Sequence, residues 1–112
     1  MRIQFTTEGG IAHFPGLSQP VIIDSDELPA GEAVELTRLV EAARFFDLPG
    51  IVGEPPRGAA DYYRYSITID RAGRRHTVRL TDFIEDTHLR QLLDLLRAKA
   101  KALRRARTRG SE

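Results

Sequence analysis

Few residues of this chain have the type and spacing that catalysis or metal binding requires. The histidines His13, His76 and His88 have no second ligand at metal-binding spacing. The absence of cysteine excludes disulfides, thiolate zinc sites and cysteine nucleophiles. Phosphate-loop, dinucleotide-binding, HExxH and GxSxG motifs are also absent from the sequence. The sequence therefore predicts a protein that is not an enzyme, with no catalytic residue, no metal ligand and no cofactor.

Two remaining groups of polar residues have ordinary structural explanations. Asp24, Asp26 and Glu27 precede a predicted helix, where carboxylates commonly stabilise the positive end of the helix dipole. His76 alternates with apolar residues of a predicted strand, so a core histidine with satisfied hydrogen bonds is favoured over a base or a ligand. Neither group indicates an acid–base pair.

Three short segments have the composition of binding loops. The segment from Gly9 to Phe14 is either a hairpin loop with Phe14 against the core or a protruding loop with apolar side chains. Glu54-Pro55-Pro56-Arg57 is either a stiff linker or a second contact, since proline limits the entropy lost on binding. Phe83-Ile84 either faces the core or, if exposed, forms an interface patch.

Charge is distributed unevenly along the 112 residues, although the net charge is only +1. Residues 1–54 contain 3 arginines and 9 carboxylates, whereas residues 55–112 contain 14 basic and 7 acidic residues. The basic excess lies mostly at the carboxyl end, which is either a solvated helix end or an electrostatic arm for nucleic acid or an acidic partner. No aromatic residue interrupts it, so base stacking is not offered. The possible electrostatic tail comprises Arg97, Lys99, Lys101, Arg104, Arg105, Arg107 and Arg109.

Apolar periodicity predicts four strands. Residues 1–7, 21–23, 63–69 and 75–80 are predicted to form two antiparallel hairpins, the first with a sizeable loop and the second with a turn at 70–73. Residues 49–60 are rich in proline and glycine and read as a long connection without periodicity.

Helical periodicity follows each hairpin. The first helix is predicted to open at Leu28-Pro29 and to close at Phe45-Phe46. The second begins near Asp86-Thr87 and should fray after Leu103. The ββαββα order predicts an α+β fold, a four-stranded antiparallel sheet with both helices packed on one face. We expect one domain over residues 1–97, with a basic helical extension and tail over 98–112.

No apolar run reaches the length of a membrane span, and the amino-terminal residues lack the apolar stretch of a secretory signal. We therefore expect a cytoplasmic protein without a membrane partner.

Four stretches of the sequence, taken together and in this order, are more specific for a family than any single motif among them. They are Met1–Phe5 with Gly9-Gly10, Leu28-Pro29 through Leu48-Pro49, Gly58–Asp61 with Tyr63, Tyr65, Gly73 and His76–Arg79, and Leu89–Leu96. In this combination the chain resembles the emfourin family, small bacterial protein inhibitors of thermolysin-like zinc metallopeptidases such as protealysin. The resemblance covers about residues 1–97. It departs from the family pattern at Phe83-Ile84, where a short polar link is usual, and in the basic extension.

The resemblance implies a protein partner, a thermolysin-like metallopeptidase whose active-site cleft is occluded in a reversible complex. The free inhibitor is expected to be a monomer. The alternative is a small regulatory or nucleic-acid-binding module that acts through the basic tail; nucleic acid is the less favoured partner. The protease-binding residues implied are Gly9, Gly10, Ile11, Ala12, His13, Phe14, Pro55, Pro56, Phe83 and Ile84.

Overall fold

Five strands and two α-helices make up the part of the chain that the structure, a computed structural model, describes: residues 1–9, 20–59 and 62–110. The elements in chain order are β1 (Arg2–Gly9), β2 (Val21–Asp24), α1 (Ala30–Ala42), β3 (Ile51–Val52), β4 (Tyr63–Arg71), β5 (Arg74–Thr81) and α2 (Thr87–Gly110). Short 3-10 turns at Ser25–Glu27 and Phe45–Asp47 flank α1. The predicted α+β class is confirmed.

The sheet is mixed and five-stranded, with the order β2-β1-β4-β5-β3, so the prediction of a four-stranded antiparallel sheet was wrong. Both predicted hairpins are present, because β1 pairs antiparallel with β2 and β4 pairs antiparallel with β5. The additional strand is β3, which runs parallel to β5 with Ile51 opposite Arg79 and Val52 opposite Leu80. The sequence did not predict β3 because a strand of two residues is too short to show an apolar alternation. Its partner, β5, is also distant from it in the chain.

One face of the sheet carries the hydrophobic core, as the alternation predicted. Ile3, Phe5, Ile67 and Ile69 are fully buried, and the register places Phe5 directly opposite Ile67. Helices α1 and α2 cover this face with buried stripes that join the same cluster of residues. The stripe residues are Leu36, Leu39, Val40 and Ala43 on α1 and Leu89, Leu92, Leu93, Leu96 and Ala100 on α2.

Both helices begin close to the predicted residues but end elsewhere. Pro29 is the amino-terminal cap of α1, and the Asp86 carboxylate accepts the backbone N–H of Leu89 at 2.8 Å at the start of α2. Helix α1 ends at Ala42 rather than at Phe45-Phe46, because Arg44 takes a left-handed conformation (φ 51°) and a 3-10 turn follows. Helix α2 continues to Gly110, beyond Leu103, where fraying was predicted.

The opposite face of the sheet is open and mostly polar. Cross-strand neighbours on this face include Gln4 and Thr68, whose hydroxyl lies 2.8 Å from that of Thr77. Below, this surface is called the open face. No helix in the described ranges is long and apolar enough to cross a membrane.

Candidate functional site

Three connections leave the sheet at one end, which we call the Gly9 end. Strands β1, β3 and β5 terminate there and β4 begins there, because Gly9 pairs with Tyr63 and both Tyr65 and Val52 pair with Leu80. The connections that start or finish at this end span residues 10–20, of which only Pro20 is described, 53–62 and 82–86. The segments 54–57 and 83–84, singled out separately in the sequence, are therefore brought to the end of the sheet at which β1 reaches Gly9.

The first predicted segment is only partly within the described residues. Gly9 is the last residue of β1. Gly10, Ile11, Ala12, His13 and Phe14 lie outside the described residues. The flanking residues, Gly9 and Pro20, fix where the segment leaves and rejoins the fold.

Hydrogen bonds to Thr81 link the connection that contains Pro55 and Pro56 to the segment that contains Phe83 and Ile84. The Thr81 hydroxyl donates to the carbonyl oxygen of Gly53 and accepts the backbone N–H of Phe83 at 3.1 Å. Pro55, half-buried, and Pro56, exposed, follow Gly53 in the same connection. Thr81 is 6% exposed, so these hydrogen bonds are largely shielded from competing water.

Phe83 and Ile84 point in different directions, which neither alternative for this pair anticipated. Ile84 is 5% exposed and joins the core, whereas Phe83 is 39% exposed. The Phe83 ring meets the Tyr62 ring edge to face, with 5.9 Å between centroids. Arg64 donates to the Tyr62 hydroxyl at 2.9 Å, and its guanidinium lies 5.4 Å from the centroid of the Tyr62 ring. The result is a partly exposed aromatic pair at the Gly9 end, with Phe83 exposed and Tyr62 half-buried.

Sequence reasoning missed Tyr62. Its neighbour Tyr63, the first residue of the predicted strand 63–69, is 36% exposed because it pairs with Gly9 at the end of the sheet, beyond most of the core. Tyr62 directly precedes β4 and follows a connection rich in proline and glycine. An aromatic residue at the boundary of such a loop is the signal that could have identified it.

Asp82, also missed, joins β5 to α2. Its carboxylate accepts the Tyr65 hydroxyl at 3.3 Å and lies 3.9 Å from the guanidinium groups of both Arg90 and Arg97. Arg90 also donates to the backbone carbonyl of Asp82. Burial, and secondly the Asp82 charge, raises the pKa of Tyr65 to about 12. Through Asp82, the connection between β5 and α2 therefore contacts both Tyr65 of the sheet and the arginines of α2.

A trough with a volume of about 420 Å³ lies on the open face next to these connections. Ser66 and Arg79 of β4 and β5 line it, together with Ile51 of β3 and Pro55 of the 53–62 connection. Tyr62 belongs to both the trough and the aromatic pair. The trough and the exposed connections therefore form one continuous surface.

The basic tail is partly engaged within the fold. Arg97 lies 3.9 Å from the Asp82 carboxylate and 4.0 Å from that of Asp94, and Lys99 bonds to Glu32 of α1. Lys101 and Arg105 are exposed and Arg104 is half-buried, while Arg107 and Arg109 lie near the end of α2. Helix α2 therefore carries these cations as one continuous element.

Histidine and carboxylate positions in the described ranges give no arrangement for a metal. No group of three or more His, Asp or Glu residues there could hold one. The Nε2 atom of His76 lies 2.7 Å from the carbonyl oxygen of Leu48, which fixes Nε2 as the protonated, donating nitrogen. The ring also meets Phe45 edge to face at 5.7 Å, in agreement with a satisfied structural histidine.

Comparison with known proteins gives one finding. The model of the family described as Emfourin matches residues 5–97, which covers most of β1, the other four strands, α1 and about the first half of α2. No curated protein and no solved structure gives a significant match. Since the match extends over most of the sequence, the chain belongs to the Emfourin family.

Proposed function

We propose that this protein is a proteinaceous inhibitor of a thermolysin-like, protealysin-like zinc metallopeptidase and acts by a reversible protein–protein complex. Membership of the Emfourin family supports the inhibitor role. The observation that carries the site is that Gly9, the last residue of β1, lies at the same end of the sheet as the connections 53–62 and 82–86. Loops presented together by a rigid sheet lose little conformational entropy on binding.

In this proposal the inhibitor covers the active-site cleft of the peptidase. Ile11 and Phe14 provide apolar anchors for the cleft, and Phe83 with Pro55 and Pro56 contacts its rim. Apolar anchors at the centre of an interface commonly carry most of the binding free energy. The sequence has no cysteine and no histidine pair at metal-binding spacing, so occlusion of the cleft is favoured over capture of the catalytic zinc.

Titration of a thermolysin-like peptidase with this protein, with a peptide substrate as the readout, tests the proposal. We expect competitive inhibition that the double substitution Ile11→Ala and Phe14→Ala weakens by about a hundredfold. Val34→Ala is the matched control, since Val34 is an apolar side chain of α1 that is 69% exposed and belongs to none of the three connections. Absence of inhibition against both thermolysin and protealysin would contradict the inhibitor role.

A second candidate function, binding of nucleic acid through the basic tail, is favoured by one observation. Helix α2 continues to Gly110 and thereby presents Lys101 and Arg105 on an ordered element. Affinity for a DNA duplex that falls steeply with salt, and that disappears in a chain ending at Ala100, would support this role. Binding that survives the truncation, or no binding at low salt, rejects it.

A further inference from the structure

The trough on the open face has a cationic side chain that the fold leaves unused. Arg79 is exposed in the trough, and its guanidinium has no ion pair or hydrogen bond within the described residues. Its backbone N–H is bound to the carbonyl oxygen of Gly50 at 2.8 Å, so the residue is held firmly in β5. By contrast, Arg75 on the same face of β5 lies 3.5 Å from the Asp70 carboxylate.

The other charged residues that line the trough are Glu8, Glu54 and Arg64. Glu8 is the direct cross-strand neighbour of Arg64, and its charge contributes to the raised pKa of that guanidinium. The main cause of that raised pKa is the hydrogen bond to Tyr62. Glu54 lies in the wall of the trough and makes no ion pair with Arg79 within the described residues. Unlike Arg64, Arg79 has no side-chain hydrogen bond there, so its guanidinium can take a new anionic partner.

The groups around Arg79 set the chemistry of that partner. Ser66 lies opposite Arg79 on β4 and adds a hydroxyl donor. Ile51 lies opposite Arg79 on β3 and is 62% exposed, and Pro55 adds a second apolar wall. A ligand with a carboxylate beside an apolar side chain can pair with Arg79 and also pack against Ile51 and Pro55. A bare phosphate could pair with Arg79 but would make no apolar contact.

We propose that the trough receives a peptide segment of the bound peptidase that carries an aspartate or glutamate, with Arg79 as the ion partner of its carboxylate. This inference rests on the proposed inhibitor function and adds a second contact beside the cleft-covering loops. The trough shares Pro55 and Tyr62 with the Gly9 end, so a peptidase bound there reaches it without a change in the fold. Charge pairs at the rim of an interface mainly raise the association rate and make it sensitive to salt.

Inhibition assays with paired substitutions test this contact. Arg79→Gln is expected to weaken inhibition about tenfold at about 50 mM sodium chloride and about threefold or less at about 500 mM, mainly through slower association. Arg75→Gln is the matched control, on the same strand and face, and should change inhibition less than about twofold. Glu54→Gln removes a competing charge and should tighten inhibition. Equal effects of Arg79→Gln and Arg75→Gln would overturn the proposal.

A titration followed by nuclear magnetic resonance separates this inference from the inhibitor function. The probes are the peptide acetyl-Leu-Asp-Leu-amide and its asparagine counterpart. We expect the aspartate peptide, and not the asparagine peptide, to shift the amide signals of Ser66 and Arg79, and Arg79→Gln to abolish the shifts. Equal shifts with both peptides, or none with either, refute carboxylate recognition whether or not a peptidase is inhibited. Peptide binding combined with unchanged inhibition by Arg79→Gln rejects the peptidase as the occupant.

Discussion

Gly53 approaches Ile84 so closely that no side chain fits between them. A Cβ atom on residue 53 would lie 2.5 Å from Cγ2 of Ile84 and 2.9 Å from its backbone nitrogen. Gly53 also has φ +72°, a conformation that residues with a side chain rarely adopt. This contact joins the 53–62 connection to the segment that presents Phe83, and it fixes the relative position of two of the three connections at the Gly9 end.

Gly53→Ala is therefore expected to damage both stability and inhibition. The clash involves backbone as well as side chain, so the two segments must move apart, and we expect a loss of about 1–3 kcal/mol in the free energy of unfolding. Urea denaturation measures this loss. Gly50→Ala is the control in the same stretch of chain, because nothing lies within 4 Å of its Cβ position. A Gly53→Ala protein as stable as Gly50→Ala would show that the close approach is not maintained.

Phe83 and Ile84 are expected to give opposite mutational results although they are neighbours in sequence. Phe83→Ala removes an exposed ring and should weaken inhibition about tenfold or more, with a stability loss of about 1 kcal/mol from the lost contact with Tyr62. Ile84→Ala empties a buried position and should lower the free energy of unfolding by about 2–5 kcal/mol. Inhibition constants and denaturation curves of the two variants, measured side by side, separate binding from folding. Full inhibition by Phe83→Ala would remove this residue from the interface.

Tyr65 should make stability depend on pH in the alkaline range. The raised pKa, about 12 in the folded protein, means that folding favours the protonated phenol. The stabilisation is therefore complete below the unfolded-state pKa of about 10 and is lost as the pH rises towards 12. We expect the wild-type protein to be more stable than Tyr65→Phe at neutral pH, and the difference to shrink between about pH 10 and 12.

The Asp82 carboxylate supplies part of this effect and a further control. Since its charge contributes to the raised pKa of Tyr65, Asp82→Asn should lower that pKa, which phenolate absorbance reports after subtraction of the Tyr65→Phe titration. The same substitution leaves Arg90 and Arg97 without their shared carboxylate. An unchanged pKa of Tyr65 in Asp82→Asn would contradict the contribution of the Asp82 charge.

Truncations of α2 test how far the folded domain extends. The boundary at residue 97 remains a prediction, but α2 crosses it without a break, and Ala100 is fully buried. A chain that ends at Arg105 should keep wild-type stability. A chain that ends at Arg97 loses Ala100 and the contact between Lys99 and Glu32, and its free energy of unfolding should fall by about 1–2 kcal/mol. Thermal denaturation compares the two chains, and equal melting temperatures would place the boundary of the folded domain at residue 97.

The candidate site was predictable in its segments but not in its contacts. Phe83-Ile84 and Pro55-Pro56 stood out because large apolar residues and paired prolines are conspicuous in connections. The opposite exposures of Phe83 and Ile84 were not predictable, because they follow from the contact of Ile84 with Gly53, 31 positions away in the chain. Tyr62 was missed for the same reason, since its partner Phe83 belongs to another connection.

The sequence by itself determined the elements that have a period. The alternation in β1, β4 and β5 and the leucine stripe of α2 fixed both the type of each element and its buried face, because such patterns are local and repeat over several residues. Only the tertiary structure decided the place of β3 beside β5, the position of the 53–62 and 82–86 connections at the Gly9 end and the pairing of Asp82 with Tyr65. These depend on contacts between residues that are distant in the chain, and the pairing register that creates them leaves no local pattern in the sequence.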